Sequence, residues 1–293
     1  MRPLTTFVLA LALAAAPVVA AAWPDGTGAA SGGIRRLGPP APARPARIVS
    51  LAPSLTDTVI ALGHARALVG VTRFDSAPEV AALPRIGGFL DPSAEAVVAL
   101  RPDLVLWLTD GSAFASVRRI AELGVPVLAL PVIGVADVVA AARAVAEALG
   151  DPAAGDRLAA DLEAAIRRTR ARAAALPHRR ALLVVGHEPL VVAGPGSYPD
   201  ELLGIVGASN VVGGTVAWPV YPVEKAAAAD PDVVIDAAVR EHASGGAGLE
   251  AIPAVRRGAL RRLETDEVLR PGPALVRALD TLFAAVHPEA AGR

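Results

Sequence analysis

The chain contains no cysteine in 293 residues, so it forms no disulfide and lacks the cysteine through which a bacterial lipoprotein is tethered. Aromatic residues are scarce, at three Trp, two Tyr and five Phe, so the place of each one carries weight. Lysines are few, and the high alanine and arginine content reads as a genomic composition bias. Formal net charge is -1, with arginines gathered in helical stretches such as Arg167-Arg168-Thr-Arg170-Ala-Arg172, a balance that does not point to nucleic acid. Catalytic signatures are missing too: no Gly-x-Ser-x-Gly elbow, no Walker loop, no Gly-x-Gly-x-x-Gly after a strand and no His-Glu-x-x-His. Histidines 64, 178, 187, 242 and 287 are scattered with no i,i+4 pair, which excludes a dedicated zinc site of that kind. An enzyme would have to rest on His187 and Glu188, as a secreted hydrolase or metalloenzyme; the expectation is a protein with no catalytic residues, no bound metal and no cofactor of its own.

What is present begins with Met1-Arg2, an apolar run over 7–19 and small residues after it, the pattern of a secretory signal peptide over 1–22. The run is shorter than the ~20 residues of a membrane span, and no second run of that length follows. The expectation is a soluble periplasmic protein. Residues 23–45, rich in Gly, Pro, Ala and Ser without periodicity, are expected to be a mobile leader.

One phrase occurs twice: Glu95-Ala-Val-Val-Ala-Leu-Arg-Pro102-Asp103-Leu-Val-Leu and Glu224-Lys-Ala-Ala-Ala-Ala-Asp-Pro231-Asp232-Val-Val-Ile. Each copy reads as two helical turns, stopped by proline, then a buried strand. A carboxylate in a first turn is explained by the helix dipole alone, at about 0.3–1 kcal/mol, but its recurrence at matching positions points to two similar lobes, each with an acidic post. Around the repeats, short apolar runs at 48–51, 68–71, 104–108 and 127–130 alternate with helices over 54–62 and 93–100, the pattern of a parallel α/β sheet. A second such lobe has strands over 181–185, 190–193 and 233–236 and helices over 200–206 and 274–286. Between them, residues 152–177 read as one long helix. The expected organisation is a signal peptide (1–22), a leader (23–45), an N-terminal α/β lobe (46–151), a connecting helix (152–177) and a C-terminal α/β lobe (178–293). In fold class this is α/β, two Rossmann-like lobes joined by a single long helix with a ligand cleft between them.

Several aromatics fall where strand-end loops are expected, the usual ligand-binding edge of open α/β sheets. Phe74 follows the 68–71 strand, Phe89 stands six residues before Glu95, and Trp218 stands six before Glu224 with Tyr221 close by. Together they read as two apolar jaws for a large ligand. His187 follows the 181–185 strand and is either a hydrogen-bonded loop residue or an axial ligand to haem iron.

Arg47-Ile-Val-Ser-Leu-Ala-Pro53-Ser54, Gly70-Val-Thr, the Glu95 phrase, Val192-Ala-Gly194 and Asp200-Glu-Leu-Leu, in that order, resemble the periplasmic-binding family for iron chelates, haem and cobalamin that serves ABC importers. The resemblance spans 47–288. It implies two lobes bridged by one long helix, little hinge motion, and a monomeric receptor whose Glu95 and Glu224 dock on arginines of a dimeric membrane permease. Within the family the cobalamin branch is the nearest, because Phe74, Phe89 and Trp218 stand where that branch places ring-stacking aromatics and Trp218-Pro219 keeps its Trp-Pro pair. Two of those places hold Phe where Tyr or Trp is usual, and Val191 stands where an aromatic would help. A siderophore would call for a basic cleft, with Arg73 and then Arg240 as candidates. Haem would call for His187 or Tyr221. The ligand is thus expected to be a metal chelate, cobalamin first, with haem or a ferric siderophore as alternatives.

Overall fold

A computed structural model describes residues 33–109, 113–239 and 248–290. The expected signal peptide, Arg240 and His242 lie outside the described residues.

The elements run β1 (Arg35–Leu37), β2 (Ile48–Ser50), α1 (Pro53–Ala61), β3 (Leu68–Gly70), α2 (Ala94–Ala99), β4 (Leu104–Leu108), α3 (Phe114–Glu122), β5 (Val127–Leu130), α4 (Val135–Ala148), α5 (Pro152–Ala173), β6 (Arg179–Gly186), β7 (Val191–Val192), α6 (Tyr198–Ile205), β8 (Ala208–Asn210), α7 (Val223–Ala229), β9 (Val233–Asp236), α8 (Pro253–Arg256), β10 (Leu260–Arg262) and α9 (Leu275–Val286). The first sheet has the order β1-β5-β4-β2-β3; the second has the order β10-β9-β6-β7, with β8 pairing β6. Strands β2 to β5 are mutually parallel, as are β6, β8, β9 and β10. Their continuous Val/Leu/Ile runs follow from burial on both faces, since helices cover each side of such a sheet.

Within the expected leader, residues 35–37 form a strand, while 38–45 carry no regular element. Residues 35–37 pair antiparallel with β5, in the register Arg35↔Ala129 to Leu37↔Val127. The backbone groups on the outer edge of β5 need partners, and that demand outweighs a composition poor in strand formers.

Helix α5 joins the two lobes. It opens on Pro152, with Asp151 accepting the Ala154 N–H at 3.1 Å, and its 22 residues span about 33 Å. Helix α4 lies along it and enters both cores. Val135, Val138, Val139 and Ala142 pack with α6, α9 and the second sheet, while Val145, Ala146, Ala148 and Leu149 pack with α1 and the first. Among the described residues no helix is long and apolar enough to cross a membrane.

Candidate functional site

Parallel strands deliver their outgoing loops to one edge of a sheet, and these loops hold most of the residues singled out in the sequence. In the first lobe β3 runs into the turn Thr72-Arg73-Phe74-Asp75. Buried Asp75 accepts the Thr72 N–H at 2.8 Å and the Thr72 hydroxyl at 2.6 Å, and that hydroxyl oxygen accepts the Phe74 N–H at 3.2 Å. The closed turn leaves Phe74 39% exposed. Arg73 joins this turn to the loop carrying Phe89 and Leu90. Its N–H donates to the Gly87 carbonyl at 2.8 Å, and its guanidinium makes two bonds to Asp91, at 3.1 and 3.0 Å. Gly88 permits the approach, since a Cβ there would lie 2.2 Å from Asp91 Oδ1. Phe89 is half-buried against the first core, and Leu90 is exposed. Arg73 is thus paired with Asp91, with half of its own side chain exposed. Its bond holds the Asp91 carboxyl below the usual carboxylate range, and it sits 4.9 Å from the centre of the Phe74 ring.

In the second lobe residues 190–194 and 217–221 run side by side, with Val192 N–H on the Pro219 carbonyl at 3.2 Å, Gly194 N–H on Ala217 at 2.8 Å and Tyr221 N–H on Leu190 at 2.8 Å. A Cβ on Gly194 would come within 2.1 Å of the Val216 carbonyl oxygen, so this contact needs glycine. The pairing leaves Trp218 48% exposed, between exposed Val216 and Val220. Tyr221 is only 4% exposed, its ring covered by Lys225 Nζ at 4.8 Å, and burial raises its hydroxyl pKa. A depression of about 470 Å³ is lined by residues 187–190 and 220–223.

His187 lines this depression and is hydrogen-bonded, the first of the two expected alternatives. It is 3% exposed, and its Nε2 lies 3.0 Å from Oδ1 of Asp236, a fully buried residue at the carboxyl end of β9. The same Asp236 oxygen accepts the Ala238 N–H at 3.1 Å, and Oδ2 lies 3.7 Å from Arg262 Nε at the end of β10. This is a structural bond between neighbouring strand ends. Its signal in the sequence is the aspartate that closes the apolar run Val233-Val-Ile-Asp236. Among the described residues no group of three or more His, Asp or Glu side chains could hold a metal ion.

Glu95 and Glu224 are exposed in the first turns of α2 and α7. The Pro-Asp that follows each has a separate task, undetected in the sequence. Asp103 accepts the N–H groups of Ala46 and Arg47 at 2.9 Å each, and Arg47 reaches back to the carbonyls of Leu100, at 2.7 Å from Nη2, and Arg101, at 3.1 Å from Nε. In the other lobe Asp232 accepts the Arg180 N–H at 2.7 Å, while Arg180 donates to the carbonyls of Ala229 at 2.7 Å and Asp230 at 2.9 Å. The residue before each proline has positive φ, 48° at Arg101 and 39° at Asp230. The signal was an arginine one residue ahead of an apolar strand in both lobes, outside the span of the repeated phrase.

Two α/β lobes, each built on its own parallel-rich sheet and joined by one long helix, define the class: a two-lobed binding protein. The periplasmic binding protein family profile matches residues 48–263, and the chain belongs to that family. A vitamin B12-binding protein of Vibrio parahaemolyticus is 24% identical over 240 residues, 80% of this chain and 86% of the relative. Among solved structures, the periplasmic haem-binding protein RhuT from Roseiflexus sp. RS-1 superposes with a TM-score of 0.76 at 30% identity, over 83% of this chain and 98% of that one. The periplasmic vitamin B12-binding protein BtuF of Vibrio cholerae superposes at 0.75 with 22% identity, over 86% of this chain and all of that one, a likeness of fold.

Proposed function

We propose that this protein is a non-catalytic periplasmic receptor that captures a corrinoid between its lobes and delivers it to an ABC importer, docking Glu95 and Glu224 on the two halves of the permease. The ligand reading is carried by one contrast. Large apolar side chains, Phe74, Leu90 and Trp218, stand exposed at strand-end loops of both lobes, whereas His187 and Tyr221 are buried. A macrocycle whose metal is already fully ligated needs apolar contact area rather than a protein ligand. The B12-binding relative supports the same reading, and the engagement of Arg73 by Asp91 argues against a siderophore held by that charge. A two-fold permease accounts for one exposed acid per lobe.

Haem is the second reading, favoured by the 30% identity to RhuT. It requires an axial donor; His187 and Tyr221 line the second-lobe depression, but each is almost wholly buried and Nε2 of His187 faces Asp236, which weighs against it. Calorimetric titration of the purified mature chain with cyanocobalamin and with hemin separates the two. The expected result is saturable cyanocobalamin binding, weakened on the order of tenfold in Trp218→Ala through loss of the stacking contact. Hemin binding with a ligated Soret band, without cyanocobalamin retention, would overturn the corrinoid assignment.

A further inference from the structure

We infer that Arg47 and Arg180 are positioning residues for importer docking, each clamping the short helix that presents one docking glutamate. The inference rests on the docking role proposed above for Glu95 and Glu224.

The helices need such a device. Helix α2 has six residues and α7 seven, far below the roughly 12–15 at which an isolated helix holds in water. At its start α2 has a cap, Ser93, which accepts the Ala96 N–H at 3.1 Å; α7 has no side-chain cap there. Both instead share the same finish, an arginine on the terminal carbonyls, where a cation also complements the negative end of the helix dipole. Each arginine is rooted at the amino end of a strand, Arg47 just before β2 and Arg180 within β6. The aspartate of the Pro-Asp pair closes the loop by accepting that arginine's own N–H, and its N–H returns to the arginine carbonyl, at 2.9 Å from Asp103 and 2.7 Å from Asp232. Helix end, proline turn and strand thus form one closed unit in each lobe.

Two features set this apart from ordinary capping. The same residue types do the same task at matching places in two lobes that share little other sequence, and the helix so held is in each case the one bearing the exposed first-turn glutamate. A partner engaged at two points needs both held at the correct separation, or the gain from simultaneous contact is lost. The guanidinium meets two adjacent carbonyls from separate nitrogens of one rigid fork, whereas lysine would have to reach both from a single, flexibly held nitrogen.

The test compares binding to the cognate permease dimer in nanodiscs, by biolayer interferometry, for the full chain and its R47Q/R180Q, R47K/R180K and E95Q/E224Q variants. The expected result is a dissociation constant raised on the order of tenfold by R47Q/R180Q and less by R47K/R180K, with the thermal midpoint and cyanocobalamin affinity retained. Hydrogen exchange should quicken at α2 amides in the single variant R47Q while α7 is unchanged, and the reverse in R180Q. Unaltered docking of R47Q/R180Q, while E95Q/E224Q docks poorly, overturns the inference and leaves the docking reading intact. Unaltered docking of E95Q/E224Q overturns the docking reading itself. If the double arginine variant does not fold, the single variants decide: uniform loss of protection across a lobe, or none at the clamped helix, overturns the positioning role.

Discussion

Asp236 is fully buried, and its partner His187 is nearly so. Removing one member of a buried hydrogen-bonded pair leaves the other short of a partner, at a cost of about 1–3 kcal/mol. His187→Ala should therefore lower the midpoint of urea unfolding by a margin matching that cost, without abolishing binding of whichever chelate the protein takes. If ligand binding vanishes while stability is unchanged, the imidazole is a ligand contact after all. The pairing shows why site residues were unequally legible. Trp218 announces itself locally, as an aromatic beside proline just ahead of a helix, and the backbone pairing of 217–221 with 190–194 accounts for its exposure. The surroundings of His187 are set by Asp236, 49 residues away on an adjacent strand, and no local pattern announces such a neighbour. The partner of Arg73 is hidden for the same reason, since Asp91 stands 18 residues further on, across the turn.

Among the elements, the strands β2, β4, β5, β6 and β9 were readable as short apolar runs between turn residues, and α5 as a long stretch interrupted by no internal proline. Helix α4 was not. Its exposed stripe begins with two alanines, Ala136 and Ala140, before Arg143 and Glu147, so little polarity marks the solvent face against the buried valines and alanines. The segment carrying Trp218 was legible as a loop but not as a near-strand, because its pairing depends on Gly194 admitting the Val216 carbonyl. Gly194→Ala should push the 216–218 segment off its partner. The expected outcome is weaker cyanocobalamin binding by calorimetry and faster amide exchange at 192–194, with the exchange of α5 unaltered.

The lobes of the whole molecule are joined by more than α5. Residues of α4 lie in both cores, Glu201 of α6 accepts the Val135 N–H at 2.7 Å at the positive end of α4, and Arg270 reaches Asp57 of α1 at 3.4 Å. So many links favour a stiff body, and small-angle scattering curves with and without cyanocobalamin should superpose; a marked compaction would contradict this. The Asp57 contact also predicts a pH effect. Burial raises its carboxyl pKa, and Arg270 only partly opposes that. A carboxyl with a raised folded-state value adds stability below its ordinary value of 3.8 and loses that contribution as pH rises through the raised one. Asp57→Asn abolishes the loss, so the variant's Tm relative to the parent should become more favourable between about pH 3 and pH 7 in calorimetric scans.

The three residues of β1 bear on how the protein keeps to itself. Without them, β5 would offer an open row of N–H and C=O groups, a template on which a second molecule could add a strand. A chain trimmed to begin at Ala46 would keep every residue proposed above for ligand contact or docking, yet it should self-associate with rising concentration. The stretch that composition marks as dispensable thus acts as a built-in guard against aggregation.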